Sequence, residues 1–381
     1  MLQSLKIQNF RCFEEFELQN LGRINLLVGE NNSGKTSVLE AIQIFSSHGD
    51  LKTIFNLMTY RGEYWKKINE NTRTIKVQRE YDIKHLFHQH EIFSGIEFSL
   101  IGKSNVNQEK LRVFVQSNSR YPSPDFTDFD SENLDLEEDG TLDFMVDWNS
   151  QGNSGDLIKI PLSSNDSLDT EYIRRVNTII PTDKITKTHF ITPFSLQAKE
   201  LTNLFDNVVL TPHEQLIIEV LQIIEPEIER IASIAPKLTL GGISTGSIEK
   251  GGFLVKFANQ KNPIPIGSLG DGIWRILAII LVMVNLENGI LLIDEIDTGL
   301  HFTTLFDMWK VILATARKLN IQVFATTHNS DCWTSLARLI QSEEIEPNEI
   351  TIQRIESNKK QSVTFNEQQI VIAAEREIEV R

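Results

Sequence analysis

The chain has 381 residues, 40% hydrophobic and 23% charged, which is ordinary globular composition with room for two or three lobes around a sizeable core. No apolar run approaches the roughly 18–20 residues of a membrane span, and the start M-L-Q-S-L-K-I-Q-N-F has no signal-peptide core. Cys12 and Cys332 lack metal spacing, so a cytoplasmic protein with no membrane partner is expected. The net charge of −15 is concentrated in one place: Tyr121 to Leu157 holds eleven acids and no Lys or Arg, and without those acids the chain carries −4. Global electrostatics therefore gives no support for wrapping nucleic acid, although a local basic groove around Lys110, Arg112 and Arg120 stays open.

Residues 2–18 alternate apolar and polar, as two half-buried strands would. R-I-N-L-L-V (Arg23–Val28) reads as a buried strand and residues 35–46 as a helix. Between them Gly29–Thr36 reads G-E-N-N-S-G-K-T, a phosphate-binding loop of the form Gly-x4-Gly-Lys-Ser/Thr. Gly29 and Gly34 let the backbone curl so that its N–H groups face phosphate oxygens. Lys35 reaches the β- and γ-phosphates, and Thr36 offers a hydroxyl to Mg²⁺. Asn31, Asn32, Ser33 and Ser37 complete the expected lining, and the helix places its positive end beneath the phosphates.

Further along, residues 77–87 look helical, and residues 96–101 and 110–116 look like strands. The acidic segment 121–156 is rich in Ser, Asp, Asn and Gly and is expected as a surface insertion. From 196 to 234 the period is helical, with Thr211 before Pro212 and Glu214 as an N-cap signal. Residues 238–260 suggest a hairpin around paired glycines. His85, His88, His90 and Glu91 invite a metal reading, but spacings of three and two fit no single element, and an exposed helix end accounts for them.

The last third carries the chemistry. Ser268-Leu-Gly-Asp-Gly opens a long apolar helix that Gly289 ends. Ser268 and the free N–H groups of Gly270, Asp271 and Gly272 offer a second anion site. The simpler use is a Ser N-cap with glycine spacers. I-L-L-I-D-E then reads as a buried strand finishing in Asp294, suited to hold Mg²⁺, and Glu295, suited to polarise the attacking water. A helix over 302–318 leads to a strand that delivers His328, placed to touch the γ-phosphate or simply to close the strand end. A hairpin and short helix follow. Alternating strands and helices imply a mostly parallel sheet with helices on its faces.

Taken together, G-E-N-N-S-G-K-T, S-L-G-D-G, L-L-I-D-E-I-D-T-G-L-H and T-T-H resemble the ABC-type ATPases, in particular the standalone bacterial ATPases grouped with RecF and OLD proteins and often termed AAA-family ATPases. The start L-K-I-Q-N-F-R-C-F and the end E-R-E-I-E-V-R look like that group too. The resemblance implies an α/β ABC-type P-loop ATPase head: a mostly parallel sheet, an antiparallel β-lobe and a small helical subdomain. The lobes are expected at 1–195, 196–238 and 239–381. It further implies ATP and Mg²⁺ as cofactors, with Lys35, Glu295 and His328 catalytic. In a homodimer, or a higher oligomer, Ser268, Gly270 and Gly272 of one subunit would close over ATP held by the other. His301 falls at the D-loop position, where transporters have Asp, and Gln89 is the candidate Q-loop ligand of Mg²⁺. S-L-G-D-G itself departs from the L-S-G-G-Q of transporters.

The function expected from this group is an ATP-gated switch in an anti-phage defence system that controls a separate effector, a nuclease or toxin. Only about 50 residues follow His328, so a nuclease of about 100 residues is expected on another polypeptide. The alternative is a RecF-like repair clamp that binds duplex DNA. A metabolic ATPase or kinase has no second catalytic constellation to support it.

Overall fold

A computed structural model describes residues 1–69, 76–104, 107–118, 141–150, 153, 154, 157–163, 165–169, 186–193, 198–234 and 252–380. In chain order the elements begin with strands β1 (Leu2–Phe10), β2 (Phe13–Leu18) and β3 (Ile24–Val28), helices α1 (Lys35–Ser46) and α2 (Leu51–Arg61), and strands β4 (Tyr64–Asn69) and β5 (Lys76–Tyr81). Next come β6 (Glu97–Ser104), β7 (Gln108–Asn118), β8 (Thr141–Ser150), β9 (Asn153–Ser154), β10 (Ile158–Pro161), β11 (Leu168–Asp169) and β12 (Thr188–Ile191). Helices α3 (Ala198–Asp206) and α4 (Pro212–Leu221) precede β13 (Ile228–Ile234), β14 (Gly252–Phe257) and β15 (Ile264–Pro265). The chain continues with α5 (Asp271–Val284), β16 (Ile290–Ile293), α6 (Leu305–Lys318), β17 (Gln322–Thr326), α7 (Ser330–Ser342), β18 (Ile350–Arg354), β19 (Val363–Phe365) and α8 (Glu367–Glu375). Among the described residues no helix is long and apolar enough to cross a membrane.

Two compact units emerge, each assembled from separated stretches. One comprises 1–3, 18–39 and 186–381, and the other 4–17 and 40–185. These units are not the three contiguous lobes drawn from the sequence, because the chain leaves the first unit within α1 and returns to it before β12.

The first unit is built on a six-stranded sheet in the order β12-β16-β17-β3-β18-β19. The pairings from β12 to β18 are parallel, and β19 joins antiparallel. Strands β3, β16 and β17 are buried along their whole length, as a parallel sheet covered on both faces requires. Helix α5 buries eleven of its fourteen residues against this core, which explains why its sequence shows almost no polar face. A three-stranded sheet, β13-β14-β15, and helices α3 and α4 join the same core. The segment 228–234 is therefore a strand, not the end of the expected helix. Pro226 cannot donate a helical hydrogen bond, and β14 supplies the pairing.

The second unit is dominated by a sheet in the order β10-β8-β7-β6-β1-β2, with β9 paired to β8. Strands β6, β7, β8 and β10 pair antiparallel. Here the acidic segment behaves differently from expectation. Residues 141–150 form β8, which pairs with β7 over ten residues, and Asp143 is buried against Lys159 at 2.9 Å. Residues 121–140 of that segment lie outside the described residues, as do residues 238–251 of the expected hairpin. The helix expected over 77–87 is instead strand β5, held on both edges by β4 and β11, followed by a single 3₁₀ turn at Ile83–Leu86. Helix α2 went unread in the sequence despite legible caps: Asp50 accepts from the Thr53 N–H at 3.0 Å, and Gly62 closes the other end at φ 73°.

Candidate nucleotide site

The loop Gly29–Thr36 leaves the end of β3 and enters α1 at Lys35. Its curl uses left-handed backbone at Gly29 (φ 145°), Asn32 (φ 65°) and Gly34 (φ 99°). At Gly29 no side chain fits, because a Cβ there would stand 2.3 Å from the carbonyl oxygen of Ile355. Lys35 Nζ donates to the carbonyls of Gly29 (2.8 Å) and Glu30 (2.7 Å) and so folds back across the mouth of the loop. Burial lowers the Lys35 amine from its ordinary value, against the opposing pull of Asp294 and Glu295. An amine in that position gains by exchanging two carbonyls for phosphate oxygens.

The end of β16 supplies the acids. Thr36 Oγ1 donates to Asp294 Oδ2 at 3.1 Å. Thr326, the last residue of β17, joins the two acids. Its Oγ1 donates to Asp294 Oδ1 at 2.6 Å and accepts the Glu295 N–H at 2.8 Å. Glu295 sits at φ 50°, a conformation costing roughly 1–3 kcal/mol for a residue with a side chain. Neighbouring backbone bonds hold it there, Asp294 N to Ile191 O at 2.8 Å and Ile296 N to Thr326 O at 3.0 Å. Thr298 Oγ1 then donates to Glu295 Oε2 at 3.2 Å. The result is a carboxylate and a hydroxyl converging beside the phosphate loop, with a second carboxylate held one residue on. Hard oxygen donors in this arrangement suit Mg²⁺, which Thr36 and Asp294 would hold. Among the described residues no group of three or more His, Cys, Asp or Glu is arranged to hold a metal, and that includes the His85–Glu91 stretch. His85 and His88 are engaged locally, His85 with Asp82 and His88 with the Arg11 carbonyl.

Three contributors escaped sequence reasoning. Thr326 is one, and Thr327 another: its Oγ1 donates to Asp297 Oδ1 at 2.7 Å and accepts from the Asn329 N–H at 3.0 Å. The third is Arg275, a buried guanidinium whose Nη2 lies 3.4 Å from the Glu295 carbonyl. Burial pulls Arg275 below its ordinary value, while Asp297 and Glu295 pull the other way. Its signal was visible as the one charge in I-W-R-I-L-A-I-I-L-V-M-V.

The remaining candidates lie at other places. Ser268 occupies a 3₁₀ turn (Ile266–Leu269) and does not cap α5; the cap is Gly270 at φ 99°, with no side-chain hydrogen bond. Ser268, Gly270 and Asp271 are exposed and Gly272 is half-buried. His301 is exposed, its Nδ1 3.0 Å from Thr303 Oγ1, and stands beside Phe302, itself 57% exposed. His328 is exposed at the end of β17, immediately before Asn329, which caps α7. Gln89 belongs to the second unit, exposed in a left-handed turn at φ 74°. Of the residues proposed for a basic groove, Arg112 is paired to Glu97 at 2.5 Å, and Arg120 is outside the described residues.

Over residues 1–332 the chain matches the family model of the AAA ATPase domain. An ATP/GTP phosphatase of Helicobacter pylori is 20% identical over 359 residues, 90% of each chain. A DNA replication and repair protein RecF from Clostridioides difficile is 40% identical over 52 residues, 14% of each chain. An uncharacterized Methanocaldococcus jannaschii protein, MJECL10, is 38% identical over 72 residues, and the match spans 33% of that protein's length. Among solved structures, an SmcHead bound to the C-winged helix domain of ScpA superimposes with TM-score 0.50 at 13% identity, covering 96% of this chain and 97% of that one. The shared fold is the SMC-head type of ABC ATPase, a parallel sheet combined with an antiparallel one.

Proposed function

The chain belongs to the AAA ATPase domain family, and from that premise we propose that it is an ATP-hydrolysing switch whose subunits close as a dimer over shared sites. The observation that carries this reading is an imbalance within one chain. Thr36, Asp294 and Glu295 are interlocked through direct hydrogen bonds and Thr326, and Lys35 is held by the carbonyls of Gly29 and Glu30. The segment Ser268–Gly272 instead leads into a helix whose start is exposed and has no side-chain cap. Exposed N–H groups at a helix start attract anions, so the segment supports a role over a phosphate held by a second copy.

In this reading Lys35 and the loop N–H groups bind the β- and γ-phosphates. Thr36 and Asp294 hold Mg²⁺, which neutralises phosphate charge when bound. Glu295, braced by Thr298 and Thr326, orients and polarises the attacking water, and His328 reports the γ-phosphate. We assign the output to a separate effector, a nuclease or toxin, within a cytoplasmic anti-phage defence system. Support for that assignment is the form of S-L-G-D-G and D-E-I-D-T-G-L-H. A RecF-like clamp is the second reading, favoured by the short RecF match. ATP-dependent affinity for duplex DNA that declines steeply with salt would select it.

Replacing Glu295 by Gln tests the switch. Turnover should fall at least about a hundredfold while ATP binding persists, since a positioned base contributes about 10²–10⁴-fold. Light scattering with ATP and Mg²⁺ should then show a trapped dimer. Undiminished turnover in this variant would refute the assignment.

A further inference from the structure

Beyond its first residue, Asp271, helix α5 holds one charged side chain, Arg275, and that side chain is only 6% exposed. We propose that Arg275 is a positioning residue for hydrolysis: from α5 it steadies the backbone of Glu295, assigned above to polarise water, and ties it to the segment Ser268–Gly272. The inference rests on that ATPase reading.

Packing does not account for an arginine here. Burying a guanidinium is costly unless it is paired and hydrogen-bonded, and an apolar side chain of similar length would fill the same space at lower cost. The surroundings of Arg275 compensate it poorly. Its Nη2 donates one long hydrogen bond, 3.4 Å, to the Glu295 carbonyl, and its Nε has no partner among the described residues. Burial draws the guanidinium below its ordinary value, against the opposing charges of Asp297 and Glu295. Both the hydrogen bond and the attraction are thus directed at one short stretch, Glu295–Asp297.

That stretch is where the backbone needs support. Glu295 is held at φ 50°, and such a conformation persists only where its surroundings over-determine it. From β17, Thr326 Oγ1 accepts the Glu295 N–H, and Thr327 Oγ1 donates to Asp297 Oδ1. Arg275 adds a contact from α5, so that Glu295 is gripped at both its N–H and its carbonyl. Gly272 lies three residues before Arg275, on the same face of the helix. A Cβ at Gly272 would stand 3.5 Å from Leu300 Cδ2 and 3.9 Å from Thr304 Oγ1. One face of α5 therefore meets the chain after β16 at two places, the Glu295 carbonyl and the segment Leu300–Thr304. Only about 4.5 Å of helix separates Gly272 from Arg275, so a helix start that shifts to meet phosphate carries Arg275 with it. A contact of 3.4 Å has room to tighten, as hydrogen bonds around catalytic groups do when the reacting complex forms.

Two substitutions separate positioning from packing in steady-state hydrolysis of ATP with Mg²⁺. Arg275→Met keeps the length and the apolar stem but removes the charge, and Arg275→Lys keeps the charge. Arg275→Met should lower kcat about tenfold, the scale on which supporting residues act, with KM for ATP and the melting temperature unchanged. Arg275→Lys should recover most of that loss. Single-turnover hydrolysis in the Glu295→Gln background should then show no further loss from Arg275→Met, because a residue that acts through Glu295 has nothing left to position. Wild-type kcat in Arg275→Met overturns the inference, as does a raised KM with kcat unchanged. A further tenfold loss in the Glu295→Gln background also overturns it, since Arg275 would then act elsewhere. Equal losses in the Met and Lys variants with a lowered melting temperature overturn it by making Arg275 a structural residue. Undiminished turnover in Glu295→Gln alone overturns instead the assignment of Glu295 on which the inference rests.

Discussion

Two glycine-containing segments of the same unit each lead into a helix, and they are finished to different degrees. Around Gly29–Thr36 most neighbouring polar groups answer one another, Lys35 with loop carbonyls, Thr36 with Asp294, and Thr326 with both acids, while the buried Ser33 Oγ has no partner among the described residues. Around Ser268–Gly272 the chain provides a turn, an exposed glycine cap and an exposed Asp271, without a side-chain cap. A site that is complete needs its neighbours to be satisfied before ligand arrives, since buried polar groups left alone are costly. An exposed helix start carries no such cost, because water serves it until something else does. On the proposed reading, the first segment holds nucleotide and the second meets it.

Perturbing the second segment should have the larger effect. Ser268→Arg places a bulky side chain where the closing surface is expected. Turnover should drop about a hundredfold, the scale of losing one preorganised donor at a phosphoryl centre, while equilibrium ATP binding by the isolated subunit stays near wild type. Lost ATP binding in this variant would show that the segment serves its own chain's nucleotide. A smaller effect is expected from Thr326→Val, which keeps the shape but removes the hydroxyl between Asp294 and Glu295. Supporting residues of this kind are worth about tenfold or more, so turnover and Mg²⁺ affinity should each decline about tenfold. Unchanged values for both would mean that the acids are held by the backbone alone.

What was legible in the sequence follows the same division between local and distant. Gly29–Thr36 and Asp294–Glu295 could be read because their chemistry depends on spacing within a few residues. Thr326 could not, because its role comes from β16 and β17 lying side by side, with Ile293 opposite Ala325. Arg275 was visible as a lone charge in an apolar helix, but only the fold shows that its end meets the Glu295 carbonyl. The misread elements share this cause. Residues 77–81 and 228–234 carry periods compatible with a helix, yet each lies against a strand far away or across a loop that supplies its hydrogen bonds. Residues 141–150 looked like acidic surface until β7 and β10 enclosed them, with Asp143 neutralised by Lys159. Tertiary pairing overrode composition in all three places.

Mixing two inactive proteins tests the central claim most directly. Lys35→Ala removes the phosphate grip, Ser268→Arg removes the closing segment, and each alone should be inactive. If sites are shared, a mixed dimer retains one intact composite site, so ATPase activity should reappear on mixing at up to about a quarter of wild type, the product of half the dimers being mixed and half their sites being intact. Activity that stays at the level of the separate variants, with mixed dimers demonstrably present, would mean that each chain completes its own site.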